Sequence, residues 1–284
     1  MADTPRYIQA KQLRQALDTT LLKEPLPNVN WELVAERVNE ACKGLPENLE
    51  EECTAGTGQS ITNDFCASQL TYGETTDAEF VSRLLLLKSD DVFYDLGSGR
   101  GQVVLQIAEA GLAQKAAGIE LVQRRHRIAQ LTNKQLGSPA EFTCGDILTH
   151  DASDATKVYM TNSTFEEKMN IAIATRFADI TAFPNLQMVA TTNRLPLGIA
   201  NVTNLFLQRV SAVPVNWGIE RAPLFVYKRC ETDTPAPMHE VDESAEEMLD
   251  AMNKVGCNLT GAAQLNAFMT AALFHSMVHA VDVK

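Results

Sequence analysis

The stretch YDLGSGRGQVVLQIAEAG, Tyr94–Gly111, decides the fold because it joins a short apolar segment, a glycine loop and an apolar helical run. Such a loop lies at the carboxyl end of a strand, where α/β sheets bind ligands. Its glycines stand at 97, 99 and 101, whereas a dinucleotide fingerprint needs its third glycine at 102, where this chain has Gln102. The Gly-Lys-Ser/Thr ending of a P-loop is also missing. Both phosphate-binding interpretations are therefore weak.

Three acidic residues at the ends of successive predicted strands indicate a different ligand. Asp95 immediately precedes the glycines, where it would repel a pyrophosphate and attract an ammonium group. Glu120 closes the next strand and can accept both hydroxyls of a ribose, and Asp146 follows the third and can accept from an adenine amino group. Ammonium, ribose and adenine together describe S-adenosylmethionine. Each acid alone could instead be a helix N-cap or a solvated loop end.

The rhythm of the central region predicts an α/β fold. Helical segments alternate with short apolar segments that we interpret as strands: VFYDL, KAAGIEL, AEFTCGDIL, KVYMTNSTF, LQMVATTN, TNLFLQRVSAV and APLFVYKR. Alternation of this kind is typical of a mostly parallel sheet with helices on its faces. The last two strands are joined by a short loop and should form an antiparallel hairpin at one edge.

The flanking regions differ in composition from this core. We predict a helical N-terminal segment at 1–60, a core at 61–230, and an acidic linker with a C-terminal helix at 231–284. Trp31, Val34, Val38 and Cys42 recur at helical spacing, which is most simply core packing. His275 and His279 are one helical turn apart, but without a third ligand nearby we expect helix packing rather than a metal site.

Composition restricts the function classes. With 45% apolar residues, 21% charged residues and a formal charge of −12, the 284-residue chain resembles an ordinary soluble protein and not a general nucleic-acid binder. Only QRRHR at 123–127 and YKR at 227–229 are candidate basic patches, and we interpret both more simply as solvated surface charge. Six scattered cysteines without a CxxC pair argue against zinc and against a disulfide framework. No signal or membrane-spanning segment is apparent, so we expect a reducing compartment, cytosol or nucleus.

The segment DVFYDLGSGRGQVVLQIA closely resembles the first motif of the non-SET histone-lysine methyltransferases, the disruptor-of-telomeric-silencing family. The preceding YGET at 72–75 resembles that family's loop over the cofactor. Looser matches are GIE at 118–120, GD at 145–146, TNSTF at 161–165 and VNW at 215–217. The resemblance covers roughly 60–229. It implies a class I methyltransferase-like, seven-stranded Rossmann-like sheet, S-adenosylmethionine as cofactor with S-adenosylhomocysteine as product, a core-histone lysine in nucleosomes as substrate, and a nuclear chromatin regulator.

The resemblance and the acids together define the expected site. The YGET segment would be a lid in which Glu74 helps to hold the methionine end and Thr75 faces the lysine channel. The predicted cofactor-binding residues are Tyr72, Gly73, Glu74, Thr75, Asp95, Gly97, Ser98, Gly99, Gly101, Gln102, Glu120, Asp146, Ile147 and Asn162. The predicted catalytic residues are Thr75, Thr161, Asn162, Trp217, Phe225 and Tyr227.

Three departures from the family pattern leave alternatives open. The asparagine expected near the transferred methyl group aligns with Thr161, so either Asn162 replaces it through a one-residue shift, or Thr161 acts with a backbone carbonyl. The spacing from Trp217 to the following aromatic residues is altered, so Phe225 or Tyr227 could form the far wall of the lysine channel. The acidic chain also lacks the long basic segments with which the family gains nucleosome affinity.

The expected chemistry is in-line methyl transfer, which depends mainly on alignment and desolvation. An apolar, aromatic channel lined by Trp217, Phe225 or Tyr227, and Tyr72 would favour an uncharged lysine amine. Two alternatives remain from the sequence. The same fold could methylate another protein or a small molecule, or the chain could be a non-catalytic binding module whose helical ends serve assembly. No metal, membrane or strong DNA-binding segment is expected.

Overall fold

The computed structural model describes residues 29–43, 77–214, 221–230 and 240–241. The helices within these ranges are α1 Trp31–Lys43, α2 Ala78–Leu84, α3 Gln102–Ala110, α4 Gln123–Leu136 and α5 Glu167–Ala178. The strands are β1 Val92–Leu96, β2 Lys115–Glu120, β3 Glu141–Cys144, β4 Lys157–Met160, β5 Met188–Thr191, β6 Leu205–Pro214, β7 Arg221–Arg229 and β8 Glu240–Val241. Outside the described residues lie the YGET lid, Trp217, the two C-terminal histidines and the part of the predicted N-terminal segment before residue 29.

The strands form one sheet in the order β3-β2-β1-β4-β5-β7-β6-β8. Only β7 runs against its neighbours, because it pairs antiparallel with both β5 and β6, while every other pairing is parallel. The seven predicted strands and the β6–β7 hairpin are therefore confirmed. The eighth strand falls in the predicted acidic linker. It was missed because two residues, Glu240–Val241, carry no readable periodicity.

Helices cover both faces of the sheet, as the near-continuous apolar strands require. On one face, side chains of β1 and β4 such as Leu96 and Val158 pack with Ile173 and Phe177 of α5. On the other face, Phe93 and Tyr159 pack with apolar residues of α1, α2 and α3. The result is a three-layer sandwich with the sheet in the middle.

The N-terminal helix α1 is part of this packing. Val34, Val38 and Cys42 are buried, as their helical spacing predicted. The helix lies against α3 and α4, and Arg37 forms an ion pair of 2.9 Å with Glu109 of α3. α1 belongs to the predicted N-terminal segment at 1–60, yet it packs on the core. The structure does not test the boundary predicted at residue 60, which stays a prediction.

One helix is shorter than the apolar, helix-like segment DAEFVSRLLLLK at 77–88 that contains it. Asp77 caps the start of α2 by accepting from the backbone N–H of Phe80 at 2.8 Å, but the helix ends at Leu84 and not near Lys88. Leu86 has a φ of 51°, in the left-handed region. Its side chain is 42% exposed, whereas Leu85 and Leu87 are buried. Burial of these two leucines overrides the continuous helical pattern.

Candidate S-adenosylmethionine site

The glycine loop lies at the carboxyl end of β1 and is fastened to β2. The N–H groups of Gly97 and Ser98 both donate to the carbonyl of Ile119, at 2.7 and 3.0 Å. Gly97, Gly99 and Gly101 have φ values of 88°, 56° and 84°, a region that glycine adopts without steric cost. The sequence of the loop is therefore dictated by its backbone.

Two of these glycines serve different purposes. A Cβ on Gly101 would lie 2.6 Å from ring carbons of Phe142, so this glycine allows α3 and α4 to pack closely over β3. A Cβ on Gly97 would meet no atom of the described residues within 4 Å. Open space beside a left-handed glycine at the strand end is where a ligand can approach the loop.

The predicted acids meet at this edge of the sheet. Because β1, β2 and β3 are adjacent and parallel, Asp95 and Glu120 come to the same edge, and Asp146 follows two residues after Cys144, which pairs with Glu120. Asp95 and Glu120 are each 5% exposed. The structure thus brings together the three acids that the sequence singled out.

Glu120 also braces the glycine loop. One carboxylate oxygen, Oε2, accepts from the N–H of Gly99 at 2.8 Å, and Oε1 accepts from Val122 at 2.8 Å. Burial raises the pKa of Glu120, an effect that these N–H groups and the nearby Arg125 oppose. A buried acid tied to both the loop and the start of α4 therefore holds the shape of the loop.

The raised pKa of Glu120 predicts a pH dependence of stability. As the pH rises from the ordinary value of 4.5 toward neutral, the unfolded chain releases the proton of this group before the folded protein does. The folded state then binds more protons, so the contribution of Glu120 to the free energy of unfolding decreases with rising pH. Urea denaturation of the unliganded wild type and of Glu120→Gln across this window should show that decrease only in the wild type. An equal change of the unfolding free energy with pH in both proteins would contradict this prediction.

Asp146 begins a compact turn after β3. Its Oδ1 accepts from the N–H of Leu148 at 2.8 Å, and its backbone carbonyl accepts from Thr149 and His150 at 3.1 and 2.8 Å. Within the described part of the chain only Oδ1 of this carboxylate has a hydrogen-bond partner. Oδ2 can therefore accept from a ligand amino group. Ile147, another predicted cofactor contact, is buried beside it at 8% exposure.

Two further predicted cofactor residues have protein contacts that the sequence did not suggest. The side chain of Ser98 covers Gly118, where a Cβ would lie 2.6 Å from the serine Oγ. That hydroxyl is buried and has no hydrogen-bond partner among the described residues. Gln102 donates from Nε2 to the Sγ of Cys42 at 3.2 Å, which connects the loop to α1. Gln102 therefore links α3 to α1. The Ser98 hydroxyl lies at the loop without a hydrogen-bond partner among the described residues.

The loop after β4 answers the alternative left open for Thr161 and Asn162. Asn162 is fully buried, its Nδ2 donates to Asn170 Oδ1 at 2.7 Å, and its Oδ1 accepts from the N–H of Asn193 at 2.7 Å. Its amide is thus engaged inside the protein, which corrects the expectation that it faces the transferred methyl group. Thr161 is half-buried, with its hydroxyl 3.0 Å from that of Tyr159. Its role near the transferred methyl group stays a prediction.

The network around Asn162 joins three elements and was not predicted. Asn170 of α5 also donates to the carbonyl of Phe165 at 3.0 Å, and Thr192 after β5 accepts from the N–H of Asn162 and from the hydroxyl of Ser163. The one sequence signal for this network is Asn170, an asparagine that stands among the apolar positions of α5. The network fixes the loop after β4 against α5 and β5.

Removing the Asn162 side chain should destabilise the fold strongly. Asn162→Ala removes the acceptor of the half-buried N–H of Asn193 and the donor to the buried Oδ1 of Asn170, which should cost about 2–4 kcal/mol of unfolding free energy. Urea denaturation measures this loss. Asn185→Ala, at an exposed asparagine, is the control and should cost less than about 0.5 kcal/mol. Equal small losses in both variants would contradict the structural role of Asn162.

The aromatic residues proposed for the lysine channel lie in the core. Phe225 and Tyr227 are each 1% exposed and belong to the cluster that contains α5. The Tyr227 hydroxyl accepts from the N–H of Leu195 at 2.8 Å, and burial raises the pKa of this phenol. Alternation along β7 points both rings at the packed face, so neither forms an open wall in this structure.

The basic segments are partly solvated, as we expected, and partly structural. In QRRHR, Arg125 and His126 are buried, whereas Arg124 and Arg127 are exposed. In YKR, Lys228 is exposed, and Arg229 is half-buried and donates to the backbone carbonyls of Phe177 and Phe183.

The residues present fit S-adenosylmethionine. Asp95 offers a negative charge for an ammonium group, Glu120 offers two oxygens beside the loop, and Asp146 offers Oδ2 beyond β3. The open space at Gly97 and the unpartnered Ser98 hydroxyl lie at the loop between them. A pyrophosphate fits poorly, because two buried carboxylates would face it.

The strand order with a single reversed β7 defines the fold as that of the class I methyltransferases, as predicted. Residues 59–185, a little under half of the chain, match the family model described as histone methylation protein DOT1. The resemblance predicted from the motifs is thereby confirmed over that segment. The chain is also similar to a protein-lysine N-methyltransferase of Saccharolobus islandicus, with 31% identity over 90 residues. That match covers 30% of this chain and 56% of the relative.

Three solved structures are similar to the chain at low identity. An RNA methyltransferase from Salinibacter ruber, in complex with S-adenosyl-L-homocysteine, is 20% identical, with 57% of this chain and 95% of that chain covered and a TM-score of 0.39. The magnesium protoporphyrin IX methyltransferase of Synechocystis, with bound S-adenosylmethionine, is 12% identical over 68% and 97%, with a TM-score of 0.46. TrmK of M. capricolum, with S-adenosyl-homocysteine, is 8% identical over 72% and 98%, with a TM-score of 0.47.

The described residues hold neither a metal-ligand cluster nor a membrane-spanning helix. Across 29–43, 77–214, 221–230 and 240–241, no group of three or more metal-ligating side chains occurs. None of the helices in those ranges is long and apolar enough to span a bilayer.

Proposed function

We propose that the chain is an S-adenosylmethionine-dependent protein-lysine N-methyltransferase whose substrate is a core-histone lysine in nucleosomes. The observation that carries the proposal is the meeting of Asp95, Glu120 and Asp146 at the ends of three adjacent parallel strands, beside a glycine loop that borders open space. The family match over 59–185 supports the histone substrate.

The roles of the chain's own residues follow from their places. Asp95 attracts the ammonium end, Glu120 accepts from the ribose hydroxyls and holds the loop, and Asp146 accepts from the adenine amino group. When bound, S-adenosylmethionine supplies a methyl group on a sulfonium, which an amine displaces in line. Residues 72–75 would close over this site, with Thr75 and Thr161 beside the reacting centre.

The incoming lysine must be neutral to act as a nucleophile. An apolar surrounding lowers the pKa of an amine, so aromatic walls favour the reactive form. Because Phe225 and Tyr227 lie in the core, Trp217 and Tyr72 are the aromatic residues that we assign to this channel. Chromatin as the place of action, and hence the nucleus, follows from the proposed substrate.

A second candidate is methylation of a lysine in a protein other than a histone. It is favoured by the relative from Saccharolobus islandicus, whose name specifies a protein lysine and no histone. The buried network at Asn162 is intact, so the altered motif at 161–165 does not by itself favour the non-catalytic module.

Transfer of radiolabelled methyl groups tests the proposal. Recombinant nucleosomes, free core histones and albumin are incubated with labelled S-adenosylmethionine and either the wild type or Gly97→Arg. Label on nucleosomes or core histones that disappears with the variant is expected. Label on albumin at an equal rate would replace the histone substrate by a general protein lysine. No label on any substrate, with cofactor binding retained, would overturn the catalytic assignment.

A further inference from the structure

We propose that Arg176 of α5 is a positioning residue for the adenine subsite, acting through the turn that Asp146 begins. The inference rests on the proposed function, because it requires that Asp146 contacts the adenine. Arg176 lies at the end of α5 and was not singled out by any sequence motif. Its guanidinium Nη1 donates to the carbonyl of Leu148 at 2.6 Å, and Nη2 donates to that of His150 at 2.5 Å.

The turn has the hydrogen bonding of a single helical turn. At its start, Oδ1 of Asp146 accepts from the N–H of Leu148, and the Asp146 carbonyl accepts from the N–H groups of Thr149 and His150. At its end, the carbonyls of Leu148 and His150 point away from the turn with no continuing helix to satisfy them. Arg176 donates to both carbonyls, and its positive charge is attracted to the negative, carbonyl end of the turn.

Both ends of the turn are therefore held from outside. Gly145, just before Asp146, donates its N–H to the carbonyl of Glu120 at 3.0 Å, which ties the start of the turn to β2. The His150 ring folds back over Gly145, where a Cβ would lie 3.1 Å from Nδ1. A shift of the His150 carbonyl would consequently be transmitted to the residue that precedes Asp146.

Arg176 is itself held in place. Its guanidinium carbon lies 5.2 Å from the centre of the Phe183 ring, a cation–π contact, and the residue is half-buried. The planar fork of arginine can donate to two carbonyls at once with little loss of entropy, whereas lysine acts as a single point charge. α5 thus supports two parts of the site, since Asn170 holds the loop after β4 and Arg176 holds the turn after β3.

Calorimetry with two ligands tests this role. The first ligand is S-adenosylhomocysteine, and the second is S-inosylhomocysteine, which carries a carbonyl oxygen in place of the amino group of adenine. The wild type should prefer the first, because Asp146 accepts from the amino group. Arg176→Met should weaken binding of S-adenosylhomocysteine about tenfold and bind S-inosylhomocysteine almost unchanged, so that the preference is lost. Lys168→Met removes an exposed charge from the same helix and should change neither affinity.

A second variant keeps the test informative if Arg176→Met does not fold. Arg176→Lys retains the charge but not the double donation, and it should also reduce the preference between the two ligands. A folded variant with the wild-type preference would overturn the positioning role while leaving the proposed function intact. A wild type that binds neither ligand would overturn the proposed function and this inference with it.

Discussion

Replacing Gly97 by alanine should weaken binding of S-adenosylhomocysteine about ten- to hundredfold, and arginine at this position should abolish binding. The added Cβ meets no atom of the described part of the chain within 4 Å, so we expect it to enter the space that the ligand needs. Crowding a tightly fitting group by one methyl costs about 1–3 kcal/mol, and each 1.4 kcal/mol is a factor of ten in affinity. Calorimetric titration of the variant measures the loss.

Gly111→Ala is a matched control for the backbone cost. Gly111 also has a left-handed φ, 63°, and a Cβ there also meets nothing within 4 Å, but it lies at the other end of α3. Both alanine variants should lose about 1–2 kcal/mol of unfolding free energy, because alanine is strained at such φ values. Only the Gly97 variant should lose affinity. Equal affinities in the two variants would show that the ligand does not approach the loop at Gly97.

Glu120→Ala should cause the second large effect, a loss of ligand affinity of a hundredfold or more together with lower stability. The variant removes both ribose acceptors, and hydrogen bonds to a charged group contribute about 1.5–3 kcal/mol each. It also leaves the N–H groups of Gly99 and Val122 buried without an acceptor, which costs about 2–4 kcal/mol of unfolding free energy. Calorimetry and urea denaturation report the two losses separately.

Glu141→Ala provides the comparison for a glutamate on the same sheet. Glu141 is exposed and begins β3 at the opposite edge, where its carboxylate lies 3.2 Å from Lys115. An exposed ion pair of this kind contributes about 0–1 kcal/mol, so binding should not change. If Glu120→Ala bound the ligand as tightly as Glu141→Ala does, the assignment of the ribose subsite would be wrong.

Local patterns were sufficient for the framework of the fold. The apolar segments at β1, β2 and β4 are buried on both sides, so their strands could be read from composition and length alone. The acids at 95, 120 and 146 were recognisable because parallel strands bring their carboxyl ends to one edge. Both predictions depend on residues close in sequence and on a topology with few alternatives.

Side-chain roles that depend on packing between distant segments could not be predicted. Asn162 and Asn193 are 31 residues apart, and their contact exists only because β4 and β5 are neighbours. Likewise, Phe225 and Tyr227 are aromatic, as residues lining a lysine channel would be, but the register of β7 turns them toward the core. Arg176 carried no motif, because its partners are backbone carbonyls that any sequence would present.

A crystal structure of the chain with S-adenosylhomocysteine tests the assigned site most directly. We expect the ribose hydroxyls on the carboxylate of Glu120, the adenine amino group at Asp146, and the amino-acid end beside Asp95 and Gly97. A ligand bound elsewhere on the protein, or in the reverse direction with its adenine at Asp95, would contradict this assignment.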